Sequence, residues 1–151
     1  MIKVLFLTIN LGGGGAERVM VNLVNHLNRE KFDITVETMF EDGVNATFLS
    51  TDINYISKRA LSFKGITQLM RLIPQRILYD YFIGKEEYAI IVAFMHGLPV
   101  KVISGCNNKS VKKICWLHNG KPKTGSFFKP WLSEKNAFKA YNNMDLIVGV
   151  S

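Results

Sequence analysis

The sequence predicts an α/β domain built on a parallel sheet, and three observations carry that expectation. Short β-branched runs alternate with segments of helical periodicity along the whole chain. The first of them, Ile2 to Thr8 (IKVLFLT), is apolar almost without interruption, as a central strand buried on both faces must be. A glycine cluster, Gly12 to Gly15, then joins this strand to the first helical segment.

The elements follow in order. Ala16 to Asn28 reads as a helix with Val19, Met20, Leu23, Val24 and Leu27 on one face. Asp33 to Phe40 (DITVETMF) alternates like a strand and ends in the turn Glu41-Asp42-Gly43; Ile53 to Ser57 is a short third strand. Ile66, Leu69, Met70, Ile73, Ile77 and Tyr81 recur at helical spacing, with Pro74 expected to kink or split that helix because it lacks a donor and clashes with the preceding turn. Tyr88 to Phe94 is the fourth strand, Leu98 to Ile103 helical, Lys113 to His118 (KICWLH) the fifth strand, Pro130 to Asn143 a helix and Asp145 to Val150 the last strand. Six strands with intervening helices make a Rossmann-like parallel sheet with helices on both faces, and right-handed crossovers are the expected connection. Residues 1–151 read as one domain, with no repeat or linker. Its last strand runs directly into Ser151 with no closing helix, so the expectation is an incomplete domain, the front part of a longer protein.

Composition narrows the class. A chain of 151 residues with 48% hydrophobic content and 21% charge is not disordered or of low complexity. It can bury roughly 70% of its unfolded surface without a disulfide or metal staple. The longest apolar run, Tyr88 to Phe94, is strand-sized and far short of the ~20 residues that span a bilayer. The N-terminus lacks the pattern of a secretion signal. Cys106 and Cys115 lack the spacing of zinc or redox pairs, and both read as inert. The expectation is a reduced, cytoplasmic protein.

The charge is uneven. Residues 1–100 hold ten Lys/Arg and ten Asp/Glu, whereas residues 101–151 hold nine lysines against Glu134 and Asp145, so the net +7 sits in the last third. That third is either a solvated face or a patch for an anionic partner: a phosphorylated substrate or an anionic membrane met through the basic region 109–131. Nucleic acid is not expected, because arginine is absent there and no recognition motif accompanies the lysines. Two segments mix cations with apolar and aromatic residues in a way that suits an interface. One is Phe63 to Lys85, for which a core-facing helix is the preferred reading; the other is Lys121 to Trp131, with Phe127, Phe128 and Trp131.

The glycine loop, Asn10 to Arg18, lies where open parallel sheets bind ligands, beyond the carboxyl end of a strand. Its glycines allow close backbone approach, and the following helix offers free N–H groups to an anion. Neither a dinucleotide fingerprint nor a GxxxxGK[S/T] phosphate loop is present. Glu17 suits a helix N-terminus, and Arg18 is read as solvated. His118 ends the fifth strand and His96 the fourth, both on the edge that carries the loop, where a titratable group meets substrate or caps a strand. His26 is read as solvated. The three histidines share no ligand spacing and no Asp-x-Asp occurs, so no metal is expected.

The stretch LGGGGAERVMVNLVNHL resembles the start of the N-terminal domain of family 4 glycosyltransferases, the retaining GT-B type with two facing Rossmann-like domains. AIIVAFMHGLPVKVISG around the fourth strand, ICWLHNG at the fifth and KAYNNMDLIVGVS at the sixth agree with it. Within the family the pattern is most similar to enzymes of bacterial capsule and exopolysaccharide assembly. The resemblance implies an acceptor-side domain of an enzyme that moves a sugar from a nucleotide-sugar donor to a saccharide or lipid-linked acceptor, in the cytoplasm or at the inner face of the cell membrane, without metal or other cofactor. It implies that Gly12, Gly13, Gly14 and Gly15 approach the donor diphosphate or the sugar, that His118 is the catalytic-centre residue, and that His96 and Asn119 line the acceptor cleft. Many relatives carry Asp where this chain has Asn119, and often an acid where it has His96. The donor-binding domain, with most nucleotide recognition, is implied to lie outside these residues, so the chain alone is expected to be inactive. The alternative reading is a stand-alone Rossmann-like module that binds a phosphorylated small molecule without catalysis. A peripheral membrane protein anchored by the basic third is a further one.

Overall fold

The computed structural model describes residues 1–41, 43–60, 63–118 and 127–150. Six strands, β1 (Ile2–Asn10), β2 (Phe32–Glu41), β3 (Asn54–Ser57), β4 (Ile90–Ala93), β5 (Lys112–Leu117) and β6 (Leu146–Gly149), form one sheet in the order β3-β2-β1-β4-β5-β6. Every pairing is parallel. Among the described residues five α-helices accompany them: α1 (Gly15–His26), α2 (Ile66–Met70), α3 (Gln75–Phe82), α4 (Leu98–Ile103) and α5 (Glu134–Asn142). This is the Rossmann-like α/β arrangement that the alternating pattern predicts.

Strand periodicity divides β1 between two cores. Val4 and Phe6 pack with Met20, Val21 and Val24 of α1 and with Ile34, Val36, Val92 and Phe94. Leu5 and Leu7 pack on the other face with Leu78 and Phe82 of α3, Val100 and Ile103 of α4 and Ala137 and Ala140 of α5. α1 therefore covers one face and α2 to α5 the other. Among the described residues, the crossover between β2 and β3 carries a 3-10 turn, Val44–Phe48, which the sequence reading did not anticipate.

Two helical faces differ from the expected ones. On α1 the buried stripe is Met20, Val21 and Val24, with Leu23 and Leu27 half-buried, while Val19 turns outward. The long helix over 66–81 is split, as Pro74 predicts: α2 ends at Met70, and Pro74 is the N-cap of α3. The break resets the helical phase. Met70, Leu78, Tyr79, Phe82 and Ile83 go into the core, and Leu69, Ile77 and Tyr81 are left outside. The helix expected from Pro130 begins instead at Glu134, where the Ser133 hydroxyl accepts from the Asn136 N–H at 3.3 Å and caps the first turn.

Close packing on the second face is tight at Gly105, which follows α4. A Cβ there would lie 2.2 Å from the Gln75 carbonyl oxygen at the start of α3, so only glycine lets the two segments meet. Cys115 is in the core, and burial pushes its thiol up to about 12, in keeping with an inert side chain. β6 has the sheet's other edge, with Leu146, Ile147 and Val150 exposed.

One buried group departs from the apolar pattern. Glu37 on β2 is only 2% exposed, and its Oε1 has no hydrogen-bond partner among the described residues. Burial pushes its carboxyl up to about 7, with the Lys58 charge pulling the other way. A carboxyl whose folded-state pKa is raised binds its proton more tightly in the native chain. Its contribution to stability is complete below its ordinary value of 4.5 and is lost as pH rises through about 7. Glu37→Gln should remove this fall and leave the variant more stable than the parent above that pH, by about 1–3 kcal/mol. Urea unfolding across the pH series checks this; equal slopes for both proteins would show that Glu37 is not the group responsible.

Candidate functional site

In the order β3-β2-β1-β4-β5-β6 the connections reverse direction between β1 and β4, and ligands of open α/β sheets bind at that point beyond the carboxyl ends. Three predicted segments meet this edge: the glycine loop after β1, Phe94 to Gly97 after β4, and His118 after β5.

The glycine loop is held from below and left open above. Leu11 is fully buried and anchors it in the α1-side core. The Asn10 Oδ1 accepts from the Gly12 N–H at 3.1 Å. From the β2–β3 crossover, the Asn45 N–H donates to the Leu11 carbonyl at 2.9 Å and the Asn45 side-chain amide donates to the Gly12 carbonyl. Asn45 can come this close because Gly43 precedes it: φ there is +82°, and a Cβ would lie 2.3 Å from the Leu11 carbonyl. Beyond these clamps Gly13, Gly14 and Gly15 are exposed, and a Cβ on Gly15 would meet nothing within 4 Å.

α1 starts at Gly15, so the amides of its first turn have no intrahelical acceptor. Glu17 folds back over them, its Oε2 close enough to Gly14 that a Cβ there would lie 2.2 Å away. The carboxylate meets the positive end of the helix, which fits its sequence reading. Arg18, read as solvated, lies with its guanidinium 4.1 Å from the centre of the Phe48 ring. His26 is exposed as expected, its Nδ1 2.7 Å from the Asn22 carbonyl.

The histidines stand on an aromatic floor. The Phe94 ring lies 5.0 Å from Trp116 and 4.7 Å from the His118 ring. His96 stacks on Phe127 at 4.3 Å with the planes only 6° apart. The turn carrying His96 is tied to α5 by the Gly97 N–H, which donates to the Tyr141 hydroxyl at 2.9 Å. Burial lowers the pKa of both histidines. For His118 the Phe94 backbone and the Glu17 carboxylate oppose this, and for His96 the charge of His118 adds to it. Both imidazoles are therefore neutral at pH 7, each with one nitrogen able to accept a hydrogen bond. The Nε2 of His118 and the Nε1 of Trp116 are buried without a hydrogen-bond partner among the described residues.

The structure thus brings the glycine loop, Glu17, His96 and His118 to one edge. Asn119 lies outside the described residues. Gly43, Asn45 and Phe94 are contributors that sequence reasoning missed; Asn10 was read as part of the loop but not as its clamp, and the turn at Gly43 was legible, but not its contact with a loop some thirty residues earlier. Among the described residues no group of three or more His, Cys, Asp or Glu could hold a metal ion.

In the basic region 109–131, Lys109 lies in the turn before β5 and Lys112 at the strand's amino end, away from the cleft; Lys112 pairs with Asp145 at 3.1 Å, and Lys113 is buried. Phe127 and Trp131, expected at an interface, are core residues instead. Lys121 and Lys123 lie outside the described residues.

No family model and no curated protein matches this chain.

The electrostatic coupling across the cleft is directly measurable. Proton NMR titration should place both His96 and His118 below the ordinary histidine value, and Glu17→Gln should lower His118 further. A His118 midpoint indifferent to Glu17 would mean that the two do not face the same space.

Proposed function

We propose that this chain is the acceptor-side, N-terminal domain of a retaining GT-B glycosyltransferase of family 4, acting in the cytoplasm or at the inner face of the cell membrane, in cell-surface polysaccharide synthesis. The observation that carries the reading is the convergence of an open glycine loop and two half-buried histidines at the strand-order reversal between β1 and β4. The resemblance of LGGGGAERVMVNLVNHL to the family's opening motif supports it.

On this reading the full reaction breaks the bond between the sugar's anomeric carbon and the diphosphate oxygen of a nucleotide sugar. A new bond forms to a hydroxyl oxygen of a saccharide or lipid-linked acceptor; the nucleoside diphosphate leaves, and the acceptor proton passes to it or to solvent. The amides of Gly13, Gly14 and Gly15 approach the donor closely, as only residues without side chains can. Glu17 already places a carboxylate at the N-terminus of α1, which repels a bare phosphate but accepts hydrogen bonds from sugar hydroxyls. This favours the transferred sugar over the diphosphate as the part of the donor beside Gly14. On this reading the His118 imidazole accepts from a hydroxyl near the reacting carbon, and the Phe94–Trp116 floor fixes its position. His96, stacked on Phe127, lines the acceptor side, with Asn119 following His118 in the chain. Nucleotide recognition and leaving-group stabilisation fall to a second domain.

A non-catalytic module for a phosphorylated small molecule would use the same loop but would release nothing. The product of the native gene should release nucleoside diphosphate from at least one member of a panel of nucleotide sugars when saccharide acceptors are present. His118→Ala should reduce that rate by roughly 10²-fold or more. A rate near that of the parent would remove His118 from the reaction, and an absence of release across the panel would favour the binding module.

A further inference from the structure

Lys101 of α4 is only 2% exposed and has no carboxylate partner among the described residues. Buried charges are normally paired. Here the amine donates instead to the Met70 and Arg71 carbonyls, at 2.7 and 3.0 Å, where α2 ends and its last carbonyls lack helical donors. An ammonium has three N–H donors, and the third has no acceptor among the described residues. Arg71 is the second cation beside it. Its Nε donates to the Trp131 carbonyl at 3.1 Å, and its two terminal nitrogens have no partner among the described residues. Burial, with the Arg71 charge adding to it, lowers the Lys101 amine to about 8. The amine is therefore still protonated at pH 7, next to a like charge.

Both cations line one depression of about 190 Å³, together with Leu72, Pro74, Trp131 and Leu132, and no acidic residue lines it. Pockets for drug-sized ligands begin at about 300 Å³, so this one suits a smaller molecule. Leu72 and Leu132 are each more than half exposed, apolar area that such a molecule would cover. A larger groove of about 1210 Å³ adjoins it between Gln75 and α5, but there Glu134 stands among Lys135 and Lys139. The unbalanced positive charge is thus a property of the smaller depression.

We infer that this depression binds a small organic carboxylate. The carboxylate oxygens accept from the terminal N–H groups of Arg71, whose planar fork matches them, and from the Lys101 ammonium. An apolar body lies against Leu72, Trp131 and Leu132, which an inorganic anion would leave uncovered. None of the lining residues belongs to the glycine-loop cleft. Trp131 connects the two, because its ring lies 5.7 Å from that of Tyr141, whose hydroxyl accepts from the Gly97 N–H beside His96. The inference does not rest on sugar transfer, and its test uses no turnover.

In the product of the native gene, benzoate should shift the indole N–H resonance that Trp131→Phe removes. The shift should saturate with a Kd on the order of a millimolar or below. Benzyl alcohol has the same ring without the charge, and inorganic phosphate has charge without an apolar body. Each should bind more weakly than benzoate, by roughly tenfold or more. Arg71→Gln should weaken benzoate binding by a similar factor, and so should Lys101→Met. The second variant also leaves the α2 carbonyls without their donor, so Arg71→Gln decides the matter where Lys101→Met does not fold. Lys135→Gln with Lys139→Gln, in the adjoining groove, should leave the affinity unchanged. An absence of saturable shift with benzoate, or an Arg71→Gln protein that binds it as tightly as the parent, overturns the inference. So does phosphate binding as tight as that of benzoate, or an equal loss in the Lys135 and Lys139 variant, because the attraction would then be that of a basic surface for any anion.

Discussion

The parallel pairing of β1 with both β2 and β4 is the constraint on which the rest of this molecule depends. Parallel strands cannot be joined by a hairpin, so each connection must return across a face of the sheet before the next strand begins. That requirement puts α1 on one side and α2 to α5 on the other, and makes β1 apolar on both faces. It also collects every carboxyl end at one edge. Residues as distant in the chain as Gly13, His96 and His118 become neighbours there because crossovers run in opposite directions from the centre of the sheet.

What the scaffold supplies to that edge is a contrast between held and open backbone. Asn45 and Asn10 satisfy the lower carbonyls and amides of the glycine loop, so its upper amides are presented from a fixed platform. The aromatic floor does the same for the imidazole of His118, and its low polarity keeps the ring uncharged.

Much of this was legible in the sequence because the information was local. The uninterrupted apolar run of β1, the alternation in β2, the glycines after β1 and the break at Pro74 each state their structural role within a few residues. The cleft histidines were legible as strand ends. What escaped was relational. Val19 and Val21 are equally apolar, and only the seating of α1 on Val4 and Phe6 decides which is buried. Leu69, Ile77 and Tyr81 share a helical period with true core positions, yet the phase reset at Pro74 turns them outward. Phe127 and Trp131 sit among lysines in the sequence but reach the core through Tyr141 and His96. Asn45 gives no local sign of clamping Gly12, and Glu37 carries nothing in its neighbourhood that marks it as buried.

The central claim is that ligand binds where β1, β4 and β5 end. It is tested most directly by mapping amide and imidazole NMR shifts while nucleotide sugars are titrated into the product of the native gene. The account predicts that the amides of Gly13, Gly14 and Gly15 and the rings of His96 and His118 move together and saturate with a single Kd. Shifts confined to the groove between Gln75 and α5, or a glycine loop that does not respond while other residues saturate, would contradict it.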